Sequence, residues 1–181
     1  MILYILIALA VIVAGIAIVV AMQPTDFRIS RSATIPAPAS TLFEEVNDFH
    51  KWEAWSPWAR LDPTAKNTFE GAPSGVGAIF KWVGNNQVGQ GSMTLMESRP
   101  DNLIRIKLEF LKPFQATNTA EFTFEPSGDQ TVVTWSMSGK NNFAAKAVVL
   151  FMHCDRMVGA QFEKGLENLK AVVQTHAATE A

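Results

Sequence analysis

The chain has 181 residues and a formal net charge of −2, and its 15 lysines and arginines are scattered along it without forming a cluster. That distribution lacks the basic footprint with which nucleic-acid binders neutralise phosphates, so nucleic acid is not an expected partner. The single cysteine, Cys154, excludes an intramolecular disulfide.

Met1 to Met22 contains no charged residue, no His and no Asn or Gln. At about 1.5 Å rise per residue, a helix of this length crosses the hydrocarbon core of a bilayer. The expected organisation is a transmembrane anchor over residues 1–23 and one ligand-binding domain over residues 24–181. The rival is a secretory signal cleaved near Val19-Val20-Ala21, but such a signal needs a basic leading region, and the first Lys or Arg of the chain is Arg28. Arg28 and Arg31 follow the span while nothing basic precedes it, so the positive-inside rule leans toward a cytoplasmic domain on a single-pass membrane protein.

After the Pro24 to Asp26 linker, Phe27, Ile29, Arg31, Ala33 and Ile35 alternate with polar residues, the period of a first strand that ends at Pro36-Ala37-Pro38. Ser40 is placed as the N-cap of a short amphipathic helix carrying Leu42, Phe43 and Val46, with a further helical turn over His50 to Trp52. From Thr68 onward about five strands are expected in hairpin succession. Gly84-Asn85-Asn86, Pro100-Asp101-Asn102, Lys112-Pro113-Phe114 and Pro126 to Asp129 supply their turns. Phe143 to Met152 reads as a short helix or lid. Val158, Phe162, Leu166, Leu169 and Val173 then mark a long amphipathic helix with Asp155 as a candidate cap, and the tail from Thr175 is expected to fray. With no βαβ alternation, the fold class is α+β: an antiparallel sheet with helices on one side. Gly159 and Gly165 on the long helix are expected to leave space between it and the sheet.

Three of the five tryptophans fall in Trp52-Glu53-Ala54-Trp55-Ser56-Pro57-Trp58. Several indoles, each with an N–H that needs a partner, suit a pocket mouth with one wet edge. The inward strand positions add Phe80, Trp82, Met93, Leu95, Leu108, Phe110, Phe122, Trp135 and Met137, and the long helix adds Phe162. Together with Trp52, Trp55 and Trp58 these form the candidate ligand-binding set, although an apolar core would use the same residues. Asn118 joins the set because it interrupts an inward face of Ala120, Phe122 and Phe124, and a buried amide needs a hydrogen-bond partner.

Ile35-Pro36-Ala37-Pro38, Asp48-Phe49-His50-Lys51-Trp52-Glu53-Ala54-Trp55-Ser56-Pro57-Trp58, Gly89-Gln90-Gly91 and Phe162 to Lys170 resemble the SRPBCC superfamily of START-like and pollen-allergen-like proteins. They look most like its membrane-anchored polyketide cyclase/dehydrase and lipid transport members. The resemblance spans about Phe27 to Val173. It implies a helix-grip fold, a curved antiparallel sheet wrapped around a long C-terminal helix, with an elongated apolar cavity for a lipid or other hydrophobic small molecule.

Several other motifs carry little. His50 and His153 have no i+4 histidine or cysteine pair, and with no HExxH or CxxC spacing no metal and no cofactor is expected. His153 and Cys154 are sequence neighbours that point apart on a helix, which argues against a dyad. Met93, Met137 and Met152 read as flexible fillers. Arg60 with Asp62 reads as a surface ion pair, and Glu121 falls on the solvent face. The main expectation is a binder without chemistry. Two alternatives remain: a cyclase or dehydratase in which His50 or Asn118 orients a carbonyl or water, and an interaction module docking through the tryptophan loop.

Overall fold

The structure, a computed structural model, describes residues 1–151 and 154–179, so the expectations for Met152 and His153 lie outside the described residues. A long apolar helix α1 (Ile2–Ala21) precedes strand β1 (Asp26–Ile35). Helix α2 (Ala39–Asn47), a 3₁₀ turn (Phe49–Lys51) and the single turn α3 (Trp52–Trp55) follow. Six strands come next: β2 (Lys66–Gly71), β3 (Ala78–Val83), β4 (Gln90–Arg99), β5 (Leu103–Lys112), β6 (Ala116–Ser127) and β7 (Gln130–Lys140). Helices α4 (Phe143–Phe151) and α5 (Cys154–Thr179) complete the chain.

The seven strands form one antiparallel sheet in the order β1-β7-β6-β5-β4-β3-β2, so consecutive hairpins build five of its six pairings and β1 closes onto β7. Register shifts at Gln90/Gly91 and Leu95/Glu97 bend β4, as an extra residue in one strand of a pair does. The sheet curves toward α2, α3 and α5. Helix α5 packs on β1 and β7 and against α2 and α3, while α2 reaches β5 and β6. One strand more than expected lies after the short helices.

Three local expectations give way. Pro38, not Ser40, occupies the N-cap of α2, and no side chain caps it; Pro38 already holds the extended backbone that a cap requires. Asp155 lies in the first turn of α5, where its carboxylate accepts from Arg31 at 3.1 Å. The tail is helical beyond Thr175: α5 runs to Thr179, with the Thr175 hydroxyl donating to the Ala171 carbonyl at 2.9 Å, while Glu180 and Ala181 lie outside the described residues.

Candidate functional site

Register turns the alternating strands into rows that cross the concave face, because one residue in two points toward the helices. One row runs Phe69, Phe80, Met93, Leu108, Asn118, Gly139 and Phe27 from β2 to β1. The next carries Leu95, Ile106, Ala120, Met137 and Ile29, and a third carries Ile104, Phe122, Trp135 and Arg31. On the other side of the Asn118 row lies a short one of Trp82, Gly91 and Phe110. Every strand residue of the candidate set is therefore on this single face.

Burial divides that face in two. Leu95, Ile106, Phe122 and Trp135 are fully buried, whereas Phe80, Trp82, Met93, Leu108 and Phe110 are only half-buried. Asn118 and Met137 stand at the border. The closed half is solid aromatic packing. The Trp135 ring lies between Phe122, 4.7 Å away at 27°, and Phe162, 4.3 Å away at 10°, with Trp52, Trp55 and Trp58 edge-on around it.

Trp52 and Trp55 do not form a wet rim. The Trp52 indole N–H donates to the Val46 carbonyl at 2.9 Å and that of Trp55 to the Glu45 carbonyl at 3.3 Å, so both rings are tied to α2 inside the core. This removes the physical basis for a tryptophan loop that docks a partner or a membrane through those two rings. The α5 glycines do not leave a hollow either. A Cβ on Gly165 would stand 2.6 Å from the Trp135 ring and 3.2 Å from Pro57, and one on Gly159 would strike the Arg31 guanidinium. Arg31 donates to Asp155 and Glu163, and the Asp155 bond first and the Glu163 bond second raise its pKa further above its ordinary value.

Two features went unread in the sequence. Asn168 of α5 donates to the Trp55 carbonyl at 3.0 Å, pinning the loop to the helix. Trp135 buries an indole N–H that has no partner among the described residues. Nothing in a pattern of apolar periodicity marks either one.

In the half-open part, Trp82 lies over Gly91, stacks with Phe80 at 5.9 Å and meets Phe110 edge-on at 6.0 Å, while its N–H is satisfied by the Val88 carbonyl at 2.9 Å. Among the described residues, the Asn118 amide has the Met137 sulfur, at 3.8 Å, as its side-chain partner. A cleft of about 430 Å³ at the ends of β1, β6 and β7 is lined mainly by Asp26, Lys107, Thr117, Thr119, Ser138 and Lys140, which alternate with the concave Phe27, Asn118 and Gly139, so it lies on the convex face behind that surface. Another, of about 260 Å³, lies between Arg60 and the outer side of α5.

The groups proposed for catalysis are far apart. His50 is exposed, accepts or donates at 2.7 Å with Asp48 and stacks on Phe69 at 4.1 Å. Phe69 and Asn118 are separated by four strand spacings, about 19 Å along the row, so His50 and Asn118 do not share one small substrate group. Asp62 is not paired with Arg60. Its oxygens accept from the Thr64 hydroxyl at 2.7 Å, the Thr64 N–H at 3.0 Å and the Asn85 N–H at 2.7 Å. Glu121 lies on the convex face, bonded to Arg105 at 3.0 Å.

Residues 26–174 match the family described as "Polyketide cyclase / dehydrase and lipid transport". The chain belongs to that family. Among solved structures it is similar to protein MLL2253 from Mesorhizobium loti, at 16% identity and TM-score 0.61, covering 82% of this chain and 98% of that one. It is also similar to the di-domain ARO/CYC StfQ from the steffimycin biosynthetic pathway, at 13% identity and TM-score 0.63, covering 85% of this chain and 52% of that one. Ara h 8.0201 aligns at 12% identity and TM-score 0.57, covering 83% and 99%. No curated protein matches in sequence. Likenesses at these identities establish the Bet v 1-like helix-grip fold, and family membership implies a hydrophobic small molecule as partner. The family name spans cyclisation, dehydration and transport, so the activity has to be argued from the site.

Proposed function

We propose that this chain is a membrane-tethered binding domain that takes up a lipid or other apolar small molecule on the half-open part of its concave face, without chemistry. The observation that carries the reading is the split in burial: Phe80, Trp82, Met93, Leu108 and Phe110 form a continuous apolar surface that the described residues leave half-exposed. Ligand sites combine such a surface with a few placed polar groups, and Asn118 is the polar group at its border. Trp52, Trp55, Leu95, Phe122, Trp135 and Phe162 serve as the rigid floor behind it. Met137 stands at the border of the two parts, and Trp58 packs on Trp135 and Phe162 at the edge of the closed one.

The tether is α1, whose 20 residues have a mean hydropathy of 3.1, enough to cross a bilayer. Asp26, where the domain begins, pairs with Lys140, and the next register pairs are Phe27 with Gly139 and Gly139 with Asn118. The half-open surface is therefore at the tether end of the sheet. A ligand leaving the membrane would meet it first.

The connected core cluster starts at Ile29, with the buried Val20 lying outside it, so a fragment starting at Pro24 keeps that cluster whole. Incubated with a lipid extract and repurified, that fragment is expected to return with bound lipid. Met93→Glu and Leu108→Glu, which place a carboxylate on the apolar surface, are expected to weaken uptake about tenfold or more. An empty fragment, or uptake unchanged by both substitutions, would sink this reading.

A further inference from the structure

We infer that the tether end of the domain is a bilayer-docking surface built from α4 and the β5–β6 hairpin tip, so that the domain lies against the membrane instead of swinging free of it. The inference rests on α1 spanning the bilayer.

Helix α4, with the sequence FAAKAVVLF, is apolar on all sides except for Lys146. A helix of that kind is normally buried in protein or in lipid. Here no α4 residue with described burial is buried: Phe143 is 57%, Val148 42% and Leu150 37% exposed. At the β5–β6 tip, Phe114 is 76% exposed, beside Leu111 at 49%. These aromatic and aliphatic side chains come from separate parts of the sequence yet lie at the same end of the sheet, since Phe110 pairs with Ala116 where Asp26 pairs with Lys140.

That end is also where the tether leaves the bilayer. Helix α4 packs against α1, and Val20, in the last turn of α1, is the residue of that helix that is buried. The Asn141 N–H donates to the Thr25 carbonyl at 2.7 Å, and the Asn142 side chain then caps α4 by accepting from the Ala145 N–H at 2.8 Å. Thr25 is four residues beyond Ala21, which limits its distance from the end of α1 to about 14 Å even if fully extended. The start of α4 is thus held within reach of the headgroup layer. Lys112, Lys140 and Lys146 flank the apolar groups, the arrangement of an interfacial helix whose lysine stems run along apolar surface while their ammonium groups meet anionic headgroups. The occupant is therefore a lipid surface.

The full chain, with Cys154→Ser throughout, can be labelled at single cysteines with an environment-sensitive fluorophore and reconstituted in phosphatidylcholine–phosphatidylglycerol vesicles. A fraction of their lipids would carry a nitroxide near the headgroup end of the acyl chain. Leu9→Cys reports on the tether. Val148→Cys and Phe114→Cys report on the docking surface. Ser127→Cys reports on the opposite end, since β7 alone extends on the order of 30 Å from its hairpin to the tether side. The expected result is about twofold quenching at Leu9, Val148 and Phe114 and none at Ser127. Quenching at Leu9 with Val148 and Phe114 no more quenched than Ser127 overturns the docking surface and leaves the tether standing. Absence of quenching at Leu9 overturns the tether, and the docking surface with it. Val148 shielded from both lipid nitroxide and aqueous iodide marks α4 as a cover folded onto the concave face, which also overturns the inference.

Discussion

At the scale of single residues, the five tryptophans divide by what their N–H groups do. Trp55 and Trp135 are both fully buried and both touch Phe122, but the Trp55 N–H is bonded to Glu45 while that of Trp135 has no partner among the described residues. Replacing either by Phe removes a comparable volume and keeps an aromatic ring, so the difference between the two variants isolates the polar atom. Trp55→Phe strands the Glu45 carbonyl. Trp135→Phe removes a donor that folding had stripped of water. Urea unfolding is therefore expected to show Trp55→Phe as the more destabilised variant, by about 1–3 kcal/mol. Equal losses would mean that the Trp135 N–H is satisfied in solution, by water or by a ligand acceptor.

At the scale of elements, alternation and helical spacing are enough to place β1, β3 to β7 and α5, because each buries one face and leaves the other wet, whereas β2, exposed along its whole length, carries no such signal. The same alternation places Asn118, Phe122, Trp135 and Met137 on the concave side of the sheet. What periodicity could not supply is how completely a face is covered. Trp52 and Trp55 read as a pocket mouth because an indole in a loop looks alike whether its N–H meets water or the carbonyls of Val46 and Glu45. Gly159 and Gly165 read as empty space because a sequence does not say that Arg31 and Trp135 fill it. Arg31 itself sat in the inward pattern, but only the fold brings Asp155 and Glu163 to it. The same limit applies to Asp62, read as an ion-pair partner of Arg60 and found clipping its loop to the β3–β4 hairpin. The Thr64 hydroxyl first, and the Asn85 N–H second, hold its carboxyl below the ordinary value of 3.8, with burial opposing them. A carboxyl whose folded pKa is depressed contributes stability above its unfolded pKa and loses it as pH falls through the folded value. The clip is thus fully present above about pH 4 and released below it. Amide exchange at Asn85 is expected to accelerate on acidification below that point in the parent protein, while Asp62→Asn shows fast exchange at every pH. Parallel profiles for the two proteins would count against the clip.

For the whole molecule, the closed and half-open parts of the concave face correspond to two ends with different work. Far from the tether, Trp52, Trp55, Phe122, Trp135 and Phe162 interlock α2, α3 and α5 with the sheet and give the fold its rigidity. Near the tether, Phe80, Met93 and Leu108 remain half-exposed, and α4 packs against α1 with Phe143, Val148 and Leu150 exposed. This division predicts that anchor and core are energetically separable. Only Val20 of α1 is buried, and full burial of a valine stabilises by about 2 kcal/mol. A chain starting at Pro24 should therefore unfold in one cooperative step in urea, with a loss of no more than about 2 kcal/mol relative to the full chain. Its freed α4 should make it bind vesicles weakly where a soluble domain with a polar surface would not. A broad, non-cooperative transition would show that the helix completes the core, in which case the half-open surface is an interior that the tether helps to close, and ligand entry would have to involve its movement.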